Sequence, residues 1–373
     1  MKERLSLFFF SSILALGFLL AGCNNVKDAE TVFIGKSNKS IPLSIPLSDY
    51  LKKNVQLMVV NESDNLIIGE VTKMYETEEG WFILDQRKTK GLYMVNRKGA
   101  IIAHFNHQGQ GPEEYISIYD FDVDEENKEI YILCYPSKIM VTDYAFNRKI
   151  TYPLTEIYGS IACFDHHVYL YGDRAVFSFS PASDQISEVL NEGSLKQIFG
   201  YTFSVFHKVG DELFYIAHGG DKLYKLKNGK ALPFLTIDFE KKEEIYQLMR
   251  GDEPLVGLDY MGMYPPKIHT IFETSQKTLC LVYSKPVYGL CEISLKDYTV
   301  INEGQVISIL SDFWVCQPNR KHLTGVAIDQ LKDVYNKIKI TSEEMIVEPS
   351  LNQLNNGEED EEDRLVIVSC ELK

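Results

Sequence analysis

Residues 104–144 carry the clearest alternation of apolar and polar positions in the chain. After the turn residues Gly109, Gly111 and Pro112, Phe121 and Val123 alternate with Asp120, Asp122 and Asp124, which sends the two sets to opposite faces of a strand. A polar bend at Glu125, Glu126 and Asn127 precedes IYILCY at 130–135. Pro136 and Ser137 precede KIMVTDY at 138–144, and a further turn leads into KITY. Three or four short antiparallel strands in about 40 residues predict one blade of a propeller, or one sheet of another all-β fold.

The rhythm recurs in units that begin near residues 66, 118, 160, 203 and 268. SILSDFWVCQP at 308–318 and DRLVIVSCEL at 363–372 read as strands of a sixth unit. The N-terminal IPLSIPL, whose Pro42 and Pro46 suit an edge, is the strand expected to complete it. Closure of this kind removes the long free edge along which sheets aggregate. The predicted fold is therefore all-β, a six-bladed propeller over 41–373 with short helical insertions. One insertion is 239–251, where Ile245, Leu248 and Met249 fall at helical spacing; the stretch 327–363 holds one or two more. Links between strands are too short for the crossover helices of a parallel sheet. A two-sheet sandwich explains the alternation equally well, but does not require similar blocks about 40 residues apart.

The N-terminus follows a different rule. Lys2 and Arg4 precede an apolar run over 5–20 and then LAGC at 20–23, so 1–22 reads as a signal peptide. The run is short for a transmembrane helix of about 20 residues. LAGC resembles the bacterial lipobox, and the resemblance implies that Cys23 becomes the first mature residue and carries lipid. Several acyl chains on one residue hold a protein at a membrane, where one chain gives only marginal binding. Residues 23–40 then form the lipidated start and its tether, and the expected location is the cell envelope, as an outer-membrane lipoprotein facing periplasm or cell surface.

Charge and cysteine usage narrow the function classes. A formal charge of −15 spread along 373 residues offers no basic patch for a phosphate backbone, which excludes nucleic acid. Cys134, Cys163, Cys280, Cys291, Cys316 and Cys370 are widely spaced and lie in apolar strand patterns; disulfides and buried thiols are both compatible with this. No CxxC, HExxH or GxSxG is present, so no catalytic residue, metal ligand or cofactor is nominated. The eight histidines are scattered. Asp120, Asp122 and Asp124 imitate the start of a calcium loop, but Glu125 and Tyr131 stand where that loop needs glycine and glutamate. A carboxylate face at the rim or channel of the ring is the better account, with weak cation binding as its only ligand role.

GQGPEEY at 109–115, followed by the FDVD strand, resembles the signature of six-bladed β-propeller lipoproteins of Bacteroidota. Gly109, Gly111, Pro112, Glu114 and Tyr115 stand at matching positions, while Glu113 replaces a glycine. The resemblance implies the propeller and the lipid anchor but no activity. GQGPEEY lacks the lysine and hydroxyl residue of a phosphate loop, and reads as an inter-blade turn whose tyrosine packs and whose Glu114 caps local amides.

The strongest ligand candidate is 253–269, where Tyr260, Met261, Met263 and Tyr264 lie among glycines and prolines. Aromatics on a loop stack on sugars or anchor proteins, or simply cover the end of the ring. The acidic run at 358–363 reads as a solvated loop. The expected function is a non-enzymatic binding or scaffold module, held to the membrane, that presents propeller loops to a glycan, peptide or protein partner. The alternative is a propeller enzyme, a metal-assisted lyase or lactonase-like hydrolase, with its site at the central channel.

Overall fold

In the computed structural model, residues 29–34, 44–63, 66–192, 205–217, 222–239, 267–285, 287–307, 314–319, 322–341, 346–348 and 363–373 are described. The chain begins with β1 (Glu30–Ile34), β2 (Ser44–Pro46), a 3-10 turn (Leu47–Tyr50) and β3 (Leu51–Val59). Blade 1 follows as β4 (Lys73–Glu76), β5 (Gly80–Asp85), β6 (Gly91–Asn96) and β7 (Ile101–Phe105). Blade 2 is β8 (Ser117–Asp124), β9 (Glu129–Tyr135), β10 (Lys138–Asp143) and β11 (Arg148–Pro153). Blade 3 is β12 (Ser160–Phe164), β13 (His167–Gly172), β14 (Ala175–Ser180) and β15 (Gln185–Asn191). Blade 4 is β16 (Phe206–Val209), β17 (Glu212–Ile216), β18 (Lys222–Lys227) and β19 (Lys230–Phe239). Blade 5 is β20 (Lys267–Glu273), β21 (Thr278–Lys285), β22 (Val287–Ser294) and β23 (Val300–Ile307).

The sixth sheet joins both ends of the chain. After β24 (Trp314–Asn319) and β25 (His322–Asp329) come helix α1 (Leu331–Thr341), β26 (Ile346–Glu348) and β27 (Arg364–Leu372). The strand order is β24-β25-β27-β3-β26, so the third strand is C-terminal and the fourth is N-terminal. The N-terminal strand expected here was IPLSIPL, and that assignment is corrected. Ser44–Pro46 instead adds a parallel fifth strand to β23 of blade 5. Three residues ending in proline suffice only for an edge, whereas the nine-residue β3 buries Leu51, Val55 and Leu57. Likewise Glu30–Ile34, inside the stretch read as tether, pairs parallel with β19 and buries Val32. The helix expected at 239–251 falls almost wholly outside the described residues; α1 lies within the second expected insertion.

Six apolar clusters among the described residues sit one at each seam between neighbouring blades. Phe82, Leu92 and Met94 of blade 1 meet Phe121, Ile130 and Ile132 of blade 2. Further clusters join blades 2 and 3, 3 and 4, 4 and 5, and 5 and 6. Val326, Leu365 and Ile367 of blade 6 meet Met74, Trp81 and Ile83 of blade 1. That last contact closes the circle, which a sandwich of two sheets would lack. The protein is an all-β six-bladed propeller.

Alternation of strand direction gives the ring two unlike faces. Turns joining first to second and third to fourth strands, such as Asn228–Gly229, lie on one face, here called the tight-turn face. Second-to-third turns and the links from one blade to the next lie on the other, the connection face.

Candidate functional site

The first strand of each blade faces the axis, and has no neighbour on that side to take its backbone groups. For β8 and β12, side chains of other blades fill this role. The alternation that sends Phe121 and Val123 into the seam with blade 1 sends Asp120 and Asp122 toward blade 3. There Asp120 Oδ2 accepts the Ile161 N–H at 3.0 Å and Asp122 Oδ2 accepts the Cys163 N–H at 2.6 Å, matching the two-residue spacing of β12. On the other edge of β8, Lys73 of blade 1 donates to the Phe121 carbonyl at 2.6 Å, and Lys208 of blade 4 to the Val123 carbonyl at 2.8 Å.

The same four side chains pair with one another. Lys73 Nζ stands 2.7 Å from Asp120 Oδ1, and Lys208 Nζ stands 2.8 Å from Asp122 Oδ2. Four blades are thereby tied through one strand. Burial pushes the Asp120 carboxyl up from its ordinary value, against the opposing Lys73 ammonium. Burial lowers Lys208 most, but the Asp122 carboxylate together with Tyr75 and Cys163 outweighs it and holds the amine above its ordinary range. A lysine so held is a cation at neutral pH and no nucleophile. Asp120 has the raised value of a general acid, yet Oδ1 takes Lys73 and the Phe121 N–H while Oδ2 takes the Ile161 N–H. Asp124 leaves this set and caps the turn at Glu126 and Asn127.

Among the described residues, several histidines are engaged with other side chains. His104 stacks on Tyr93, His107 lies against Phe105 and His167 meets Ser178. His322 lies 3.6 Å from Glu76, which also accepts from Thr324 and pairs with Arg97. Among the described residues, no three histidine, cysteine or acidic groups are arranged to hold a metal. Cys134, Cys163, Cys280, Cys291 and Cys370 are buried free thiols.

GQGPEEY links β7 to β8 on the connection face. Glu114 folds back to accept the Gly111 N–H at 2.8 Å, and the Tyr115 ring is fully buried, stacked on Phe105 with 5.5 Å between centroids. The Tyr115 hydroxyl donates to the Lys90 carbonyl at 2.8 Å, fastening this link to blade 1. Lys138 of blade 2 donates to the carbonyls of Pro112 and Glu114. Glu113 has no positive φ, so its replacement of glycine costs no backbone strain. A Cβ at Gly109 would push the Glu114 carboxylate out of its capping position. Glu114→Ala is expected to cost about 0.5–1.5 kcal/mol in thermal or urea unfolding, the range for one lost hydrogen bond.

Cys23, Tyr260, Met261, Met263 and Tyr264 lie outside the described residues. By connectivity the segment carrying the last four joins β19 to β20, and so starts and ends on the connection face. Sequence reasoning missed Lys73 and Lys208. Their signal, a lysine on the first strand of a blade, is visible only once the blades are placed around the axis.

A family model described as "Domain of unknown function (DUF4934)" matches residues 29–369. Among solved structures, a candidate exported protein of Bacteroides fragilis NCTC 9343 aligns at 15% identity over 91% of this chain and 98% of its own, with a TM-score of 0.63. At that identity the likeness shows a shared fold. Weaker likenesses include U3-55K, at 11% identity over 84% of this chain and 98% of its own, with a TM-score of 0.45. The extracellular domain of a candidate hybrid two-component system of B. thetaiotaomicron aligns at 12% identity over 74% of this chain and 31% of its own, with a TM-score of 0.40. No curated protein matches the chain.

Proposed function

Since the chain belongs to the DUF4934 family, whose description carries no activity, we propose from its own geometry that it is a non-enzymatic binding or scaffold module of the cell envelope. One observation carries this reading: among the described residues, Lys73, Asp120, Asp122 and Lys208 at the axis are engaged in tying blades together, which favours the loops of the connection face as the surface that meets a partner. Links from separate parts of the chain converge on that face, and the 253–269 segment with Tyr260, Met261, Met263 and Tyr264 belongs to one of them. Its aromatic and thioether side chains suit a glycan, peptide or protein surface. Residues 1–22 act as the export signal, Cys23 as the lipidated residue, and the chain between Cys23 and β1 as the tether, since Glu30–Ile34 is already part of the ring. The lipobox resemblance supports the membrane anchor, with the outer membrane as the proposed site. An enzyme reading has the raised Asp120 in its favour, but that carboxylate's oxygens are already engaged.

Retention of an outer-membrane extract on the immobilised mature chain tests the reading. Tyr260→Ala with Tyr264→Ala should weaken retention tenfold or more, as loss of an interface anchor worth about 2 kcal/mol does, while leaving the melting temperature in place. Equal retention by the double variant would contradict it.

A further inference from the structure

A cleft of about 570 Å³ opens on the tight-turn face at the seam of blades 3 and 4. Its walls are the turn between β14 and β15, His167 and Ser178 of blade 3, and Asn228 and Gly229 of the blade 4 turn. The volume lies within the roughly 300–1,000 Å³ of small-molecule sites. Contacts between the two blades fix its shape. The Gly229 N–H donates to the Tyr169 hydroxyl at 3.0 Å, and His167 Nδ1 lies 3.1 Å from Ser178 Oγ. Gly229 has φ 68°, and a Cβ there would stand 3.2 Å from the His167 ring and 3.3 Å from Ser178 Oγ. Glycine thus lets the blade 4 turn close on blade 3 without displacing either side chain.

The chemistry of the lining selects among ligand classes. Ser178, Ser180, Ser183 and Ser187 are hydroxyls that both donate and accept, Gln185 and Asn228 add amides, and Asp184 adds a carboxylate acceptor. Ile186 is the one aliphatic side chain in the lining. An apolar ligand would strip water from these groups and return no hydrogen bonds. An anion has no net field to draw it, because exposed Asp165, Asp184, Asp211 and Glu212 share this corner with exposed Lys227 and Lys230. A neutral molecule dense in hydroxyls meets both constraints. Each of its hydroxyls donates and accepts at once, and two adjacent ones can share a single amide or carboxylate.

We infer that this cleft is a binding site for a neutral saccharide unit, in which Asp184, Asn228 and Gln185 hold adjacent hydroxyls and the serines take the others. The site is separate from the connection face. It depends neither on the lipid at Cys23 nor on the 253–269 segment.

Saturation-transfer NMR of the mature chain tests this with glucose, galactose, mannose and N-acetylglucosamine, each at about 10 mM, well above a millimolar Kd. At least one sugar should receive transfer. Asp184→Gly with Asn228→Gly removes two of the polar groups while keeping the left-handed backbone that both residues adopt, at φ 52° and 51°. The pair should weaken binding of that sugar at least tenfold, the effect of losing about 1.4 kcal/mol of hydrogen bonding. Ser187→Trp, which fills the cleft and spares both groups, should abolish binding as well. Tyr260→Ala with Tyr264→Ala should leave sugar binding unchanged, which separates this site from the proposed connection-face partner. Transfer to none of the four sugars would overturn the inference. So would equal binding by the glycine pair or by Ser187→Trp, or tighter binding of glucose 6-phosphate than of glucose.

Discussion

A chain that stops before Arg364 is expected not to fold. β27 lies between β25 and β3 and pairs with both along most of its length. Its loss cuts the N-terminal β3, with β26 on its outer edge, off from β25 and the rest of the blade. It also removes Leu365 and Ile367 from the seam with blade 1, and Val366, Val368 and Cys370 from the seam with blade 5. The four aliphatic side chains are each at most 1% exposed; at roughly 1.5–3 kcal/mol apiece their burial contributes roughly 6–12 kcal/mol. Whole domains of this kind are stable by only about 5–15 kcal/mol. The shortened chain should be insoluble, or lack the cooperative urea transition of the full chain. A cooperative transition within about 2 kcal/mol of the full chain would show that the ring closes without β27.

Asp122→Ala should destabilise the ring by about 3–5 kcal/mol, the range for breaking a buried ion pair from one side. The side chains of Asp122 and Lys208 are 4% and 18% exposed, so removal of the carboxylate leaves an ammonium with little water and the Cys163 N–H without its acceptor. Because Lys208 is held above its ordinary value of 10.5, its contribution is fully present below that pH and fades only as pH rises further. The loss is therefore complete at neutral pH. Adding Lys208→Met to Asp122→Ala should recover part of the deficit, since no stranded charge remains. A single-variant loss under about 1 kcal/mol in urea unfolding would mean that water reaches the axis and replaces the carboxylate.

The blades were legible because their apolar residues recur with a period of two between tight turns. The five units starting near 66, 118, 160, 203 and 268 correspond to blades 1 to 5. Both segments assigned to the sixth unit lie in its sheet, but its N-terminal strand was misassigned between two nearby apolar stretches. Alternation says that a segment is a strand; it does not say which edge it will pair with, and LKKNVQLMV forms a nine-residue strand without proline where IPLSIPL contributes three strand residues and carries two prolines. The axis was half legible. Asp120 and Asp122 sharing a face followed from local spacing, while Lys73 and Lys208 come from other blades and look like any solvated lysine until the ring brings them in. GQGPEEY stood out through its own glycines, and its glutamate cap is a local contact between Glu114 and Gly111.

The claim that the connection face meets the partner is tested most directly inside cells of the source organism. A photo-crosslinking residue would be placed at Lys88 or Glu156 on the connection face, and at Lys98 or Gln276 on the tight-turn face. All four positions are exposed, so each reports what lies next to it. The account predicts discrete adducts of increased mass from the first pair and none from the second. Discrete adducts from Lys98 and Gln276, with none from Lys88 and Glu156, would contradict it.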